Sequence, residues 1–132
     1  MIQIPAEILD EMIAHAVAGL PNEACGLLSG VDGRAERFYP MRNADRSAVT
    51  YRLDPKEQLE VFNEIEDKGW QLLGIFHSHT HTEAYPSETD RRQAFYPEAN
   101  YLLLSLADRD DPALRGFTIQ GGVVEEQEVR IT

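Results

Sequence analysis

His77-Ser78-His79-Thr80-His81-Thr82-Glu83-Ala84-Tyr85-Pro86-Ser87-Glu88-Thr89-Asp90 is the stretch on which the reading of this chain turns. It follows Trp70 to Phe76, whose composition is that of a buried strand, so it begins where a strand leaves the core. Residues i and i+2 of an extended chain point to the same side. His77 and His79 can therefore present both imidazoles to one point, and neutral imidazoles at ~2.0–2.1 Å are ordinary zinc ligands. A third ligand from a later element would complete a catalytic site with one position open for water. A short helix is expected from Ser87 to about Phe95, stopping before Pro97. Ser87 and Asp90 stand three apart at its start and share a face, so Asp90 is the candidate third ligand. The same residues have a second reading, because Ser-x-x-Asp after Pro86 also spells a capping box. Taken alone, that segment favours the cap; the histidine pair just upstream favours the metal. His81 is expected to face solvent in the loop.

Working back from this stretch, Asp54-Pro55 starts a helix, with Asp54 as cap and Pro55 in the first position. Leu59, Phe62 and Ile65 follow at helical spacing, and Gly69 ends it. Val49 to Leu53 reads as a strand and Asn43 to Ser47 as a polar loop. Cys25 to Ser29 and Glu36 to Met41 read as a hairpin across Asp32-Gly33. Ile8, Met12, Ile13, Ala16, Val17 and Leu20 mark an amphipathic helix closed by Gly19 and Pro21. His15 lies mid-helix with no chemistry implied, and Cys25 and Trp70 are read as core residues. Working forward, Tyr101 to Leu106 is a strongly apolar strand, and Arg115 to Gln120 pairs with Val123 to Val129 across Gly121-Gly122. The alternation of helices and strands predicts an α/β or α+β domain on a mixed sheet.

A chain of 132 residues, 42% hydrophobic, suits one domain over 1–132 with one core. No apolar run approaches the ~20 residues of a membrane helix, and no basic-then-apolar signal opens the chain. Cys25 is the single cysteine, so an internal disulfide is excluded and the cytoplasm is the expected compartment. The formal charge of −11 argues against nucleic-acid and anionic-membrane partners and favours solubility.

His77-x-His79, seven residues, Ser87, two residues and Asp90, with Glu23 upstream in Asn22-Glu23-Ala24-Cys25-Gly26, resembles the JAMM motif of the MPN+ zinc metalloproteases. The resemblance covers almost the whole chain. It implies an MPN domain, a mixed sheet flanked by helices and layered like the cytidine deaminases. It implies that His77, His79 and Asp90 bind Zn2+, that Glu23 moves the protons, and that Ser87 donates a hydrogen bond to the oxyanion. The chemistry is sound on general grounds. Zinc brings the pKa of a bound water toward ~7, a nearby carboxylate can shuttle protons, and a hydroxyl donor can stabilise developing charge. Thr80 departs from the commonest form of the motif, which has proline there.

Glu23-Ala24-Cys25-Gly26, Pro40-Met41-Arg42-Asn43-Ala44, Tyr51-Arg52-Leu53-Asp54 and Thr82 to Ser87 are similar to bacterial Mec-type members of that family. Those members release cysteine from the C-terminus of a ubiquitin-like sulfur-carrier protein. The resemblance thus implies a partner with a flexible Gly-Gly tail, lying extended along a strand edge, either the strand leading to His77 or Val49 to Leu53. A cation should meet the carboxylate of the cysteine, and Arg46 and Arg52 are the candidates, with plain surface charge as their alternative. The runner-up function is a general isopeptidase acting on ubiquitin-like modifiers. A non-catalytic MPN scaffold would lack some of the five positions. A zinc deaminase needs a Cys-x-x-Cys pair that one cysteine cannot supply. His-Glu-x-x-His is absent, which argues against a thermolysin-like protease, and a structural zinc site would need a fourth protein ligand.

Overall fold

The computed structural model describes residues 1–132. Its elements are β1 (Ile2–Ile4), α1 (Ala6–Gly19), β2 (Cys25–Val31), β3 (Arg34–Met41), α2 (Pro55–Asp67), β4 (Gln71–His79), α3 (Glu88–Arg92), β5 (Asn100–Ser105), β6 (Ala113–Gln120), β7 (Val123–Gln127) and β8 (Val129–Ile131). The strands form one mixed sheet in the order β7-β6-β5-β4-β2-β3-β1-β8.

Neighbouring apolar residues on each central strand feed opposite faces. Leu28, Phe76, Leu102 and Leu104 join Ile8, Met12 and Ala16 of α1 in one cluster. Leu27, Ile75 and Leu103 join Ile65 of α2, with Phe117 and Tyr39, in the other. Each such side chain, once buried, contributes on the order of 1.5–3 kcal/mol. A slip of β4 by one residue would exchange Ile75 with Phe76 and turn His77 and His79 toward α1, so core packing also aims the histidines. β4 pairs antiparallel with β2, Cys25 opposite His77, and parallel with β5, His79 opposite Ser105.

α2 starts as expected, with Asp54 Oδ2 accepting from Glu57 N–H at 3.1 Å and Pro55 in the first turn. Gly69, at φ +70°, takes the left-handed conformation just past its end.

Several boundaries differ from those expected. β4 does not stop at Phe76 but runs through both histidines, because its backbone is paired on both sides. Val49 to Leu53 is a loop; its one ladder contact is an isolated bridge between Asn43 and Leu53. Val49 is 75% exposed, while Tyr51 and Leu53 pack against the core from the loop rather than from a ladder. The final run splits at Glu128, and β8 turns away to pair in parallel with β1, a strand of three residues too short to show a period. α3 is one short turn over Glu88–Arg92.

Candidate metal centre and active site

His77 and His79 leave β4 on the α2 side, where Ile75 precedes them at the same period. Their Nε2 atoms lie 3.2 Å apart, and each is 3.1 Å from Asp90 Oδ2. All three residues are buried. Zinc with ligands at ~2.0–2.1 Å in tetrahedral array separates neighbouring ligand atoms by roughly 3.3 Å. The triangle of donor atoms therefore fits such an ion closely. The chemistry of the donors fits too. His79 Nδ1–H donates to the Glu83 carbonyl at 2.8 Å, which fixes the ring and leaves Nε2 as the atom that a metal would meet once its proton is displaced. Tyr51 lies flat on the His77 ring, centroids 4.2 Å apart at 18°.

Asp90 answers the choice between cap and ligand by doing what both require geometrically. Ser87 Oγ accepts from Asp90 N–H at 3.1 Å, and Asp90 Oδ2 accepts from Ser87 N–H at 2.9 Å. This is a complete capping box on α3. The same Oδ2 is the atom that meets both imidazoles, so the cap sets the carboxylate's aim. Burial opposes the Asp90 charge, but hydrogen bonds from His77, His79 and the Ser87 backbone outweigh it and hold the carboxyl well below its usual range. Burial lowers His77 despite Asp90. It also disfavours charge on His79, but Asp90 and the Glu83 carbonyl together raise that group.

Glu23 stands just before β2. Ser78 N–H donates to the Ala24 carbonyl at 2.9 Å, and Ala24 N–H donates to Ser78 Oγ at 2.8 Å. Extending this antiparallel register by one residue puts Glu23 across from His79. Its side chain is buried, and Oε1 has no hydrogen-bond partner. Burial pushes its carboxyl up to about 8, with His79 opposing and Asp90 adding to the shift. An acid with a pKa near neutrality can both take and return a proton.

The loop at 43–53 carries Arg46 and Arg52, both exposed. Arg52 Nε donates to Asp45 Oδ1 at 3.2 Å. Arg46, at φ +47°, precedes Ser47, whose carbonyl accepts from Glu23 N–H at 2.8 Å. The backbone at Ser47 thus runs beside Glu23, whereas Arg52 borders a cavity of about 220 Å³ with Tyr51, Leu53, Phe95, Tyr96 and Tyr101. His81 is exposed, and Cys25 is buried with its thiol pushed up to about 12, mainly by burial and further by Glu57, Glu23 and Asp45. His15 is tied to the backbone, its Nε2 3.0 Å from the Cys25 carbonyl.

Neither strand edge expected to receive an extended tail is available. β4 is interior, flanked by β2 and β5, and the 49–53 segment is not a strand. For Tyr51 and Asn43 the sequence indicates no chemical role of their own. Both lie in motif-like segments, but nothing in composition marks a tyrosine that will stack on His77 or an asparagine that will be buried in a polar loop.

A profile described as prokaryotic homologs of the JAB domain matches residues 5–119. The chain belongs to that family. Its sheet with helices on both faces is the JAB/MPN fold, as the resemblance to that family implied. This JAB-family chain is 45% identical to the CysO-cysteine peptidase of Mycobacterium tuberculosis over a 133-residue alignment, covering 99% of this chain and 91% of that one. It is 35% identical to the desampylase of Haloferax volcanii over 111 residues, covering 79% of this chain and 80% of the relative. The solved structure of a Desulfitobacterium hafniense protein matches it with a TM-score of 0.91 at 43% identity, over 100% of this chain and 93% of that one.

Proposed function

We propose that this JAB-family peptidase is zinc-dependent and hydrolyses the bond between the C-terminal glycine of a ubiquitin-like sulfur-carrier protein and an added cysteine, releasing the cysteine. The whole chain, 1–132, would act as one MPN+ domain. The observation that carries the reading is the triangle of His77 Nε2, His79 Nε2 and Asp90 Oδ2, with the unpartnered Glu23 carboxylate beside it. The choice of substrate follows the 45% identity to a CysO-cysteine peptidase.

His77, His79 and Asp90 would hold the metal, which when bound supplies Lewis acidity and makes water nucleophilic near neutral pH. Glu23 takes the proton of the water that attacks the glycine carbonyl. It then delivers that proton to the cysteine nitrogen as the C–N bond breaks. Its buried place beside the cluster suits one carboxyl group to both transfers. Ser87 Oγ already accepts from Asp90 N–H, so its own hydrogen is free to reach the oxyanion. Arg46 and Arg52 are the candidate cations for the cysteine carboxylate; Arg52 lines the cavity beside Tyr51 but is engaged by Asp45. The tail's side chains can use the aromatic-walled cavity beside Tyr51 in place of a strand edge. We assign the activity to the cytoplasm, where Cys25 stays reduced; no helix is long and apolar enough to cross a membrane.

The test compares a carrier bearing a C-terminal cysteine with the same carrier joined to a lysine side chain, both followed by intact mass. Faster loss of cysteine is expected. The desampylase relative favours a second reading, a general deconjugating protease. Strong preference for the lysine conjugate would put that reading in place of cysteine release.

A further inference from the structure

Glu23 belongs to no helix or strand, and its carboxylate Oε1 has no partner. Its position is therefore set through its backbone. Two groups from one loop grip that backbone. The Ser47 carbonyl accepts the Glu23 N–H at 2.8 Å, and Asn43 Nδ2–H donates to the Glu23 carbonyl at 3.0 Å.

Asn43 is placed for this by the sheet. Cys25 pairs with Met41 in the β2–β3 ladder, and extending that register puts Asn43 opposite Glu23, on the side away from His79. Its amide is committed in both halves. Nδ2 also donates to the Thr50 carbonyl at 2.9 Å, with the Ser47 carbonyl at 3.5 Å. Oδ1 accepts from Asp45 N–H at 2.9 Å and Arg52 N–H at 3.2 Å. Carbonyls meet only the nitrogen and N–H groups only the oxygen, which fixes the amide's orientation. One buried side chain thus folds the 43–53 loop and ties it to Glu23. The same loop lays Tyr51 on His77.

We infer that Asn43 is the positioning residue of the proton-transfer group: its donor half holds the Glu23 backbone so that the carboxylate faces the His77, His79 and Asp90 cluster. This rests on the reading of Glu23 given above. Asn43→Asp keeps the acceptor half and replaces the donor by an oxygen facing three carbonyls. Misplacement of a reacting group by ~1 Å can cost ~10²-fold in rate. Asn43→Asp is therefore expected to lower kcat on the order of 10- to 10²-fold on a carrier–cysteine substrate. KM and zinc content should stay near those of the unaltered protein. A purely structural role would not give the next result. Combined with Glu23→Gln, Asn43→Asp should add almost no further loss, because residues acting through one group are not additive.

Unchanged kcat in Asn43→Asp would overturn the inference. So would a full additional loss on the Glu23→Gln background, or zinc lost in step with activity. If Asn43→Asp does not fold, Asn43→Ala takes its place in the cycle. Failure of both to fold would overturn the inference by making Asn43 a determinant of the fold alone. If Glu23→Gln by itself turns over normally, the reading of Glu23 fails and this inference with it. An impaired Glu23→Gln beside a fully active Asn43→Asp sinks the Asn43 assignment only.

Discussion

Glu23→Gln is expected to lose about 10²- to 10⁴-fold in kcat while keeping its zinc and its thermal midpoint, because general acid–base groups contribute on that scale. Glutamine preserves the volume of a buried side chain, so the packing beside Ala24 and His79 is undisturbed. What it removes is the capacity to take a proton from water and return it to the leaving nitrogen. No other carboxylate is placed to substitute. Asp90 is held ionised by the imidazoles and the Ser87 backbone, well below the range in which it could carry a proton. Glu83 and Glu88 are exposed, and only the backbone carbonyl of Glu83 contacts the cluster. Single-turnover rates and metal analysis on the same preparation check this. A variant that cleaves carrier–cysteine at nearly the unaltered rate would remove Glu23 from the mechanism.

Asp90→Ala is expected to abolish both zinc binding and turnover. Two imidazoles alone do not enclose the ion, and a catalytic zinc site keeps three protein ligands. The same substitution opens the capping box by removing the acceptor for Ser87 N–H, a loss of about 0.5–2 kcal/mol on the scale of helix caps. Ser87→Ala separates the two effects. It loses the other half of the cap but none of the donor atoms in the triangle, so zinc should remain. Its rate should fall by ~10²- to 10³-fold, the scale of one oxyanion donor. Metal content after dialysis at fixed pH, read beside thermal melts, distinguishes the two variants. Undiminished zinc in Asp90→Ala would leave Asp90 as a helix cap and nothing more.

The parts of the fold legible in the sequence are those with a period to read. Ile75 and Phe76 sit on an apolar run, and alternation sends one to each face. Ile8, Met12 and Ala16 fall on one face of α1 at helical spacing. Asp54-Pro55 announces a helix start through groups that act locally. That His77 and His79 share a side was legible for the same reason, whereas bringing Asp90 to them rested on the resemblance to the JAMM motif, because Ser87-x-x-Asp90 by itself spells a cap.

What the sequence hid depends on partners distant in the chain. Ile2–Ile4 becomes a strand only because β8 and β3 flank it. Val49 to Leu53 has the composition of a strand, but Asn43 takes the backbone groups a ladder would have used. That β4 is interior follows from the crossover bringing β5 alongside, so no local signal denied it an edge. Asn43 and Tyr51 resemble any polar-loop asparagine and any semi-buried tyrosine until the loop is folded onto Glu23 and His77.

Cysteine release is expected to depend on one zinc ion per chain held by His77, His79 and Asp90. The direct measurement is a titration of metal-free protein with zinc, following release of cysteine from a carrier–cysteine substrate. Turnover should be absent without metal, rise linearly, and reach its plateau at one equivalent of zinc. Release at the full rate by protein shown to contain no metal would rule out a zinc-dependent peptidase.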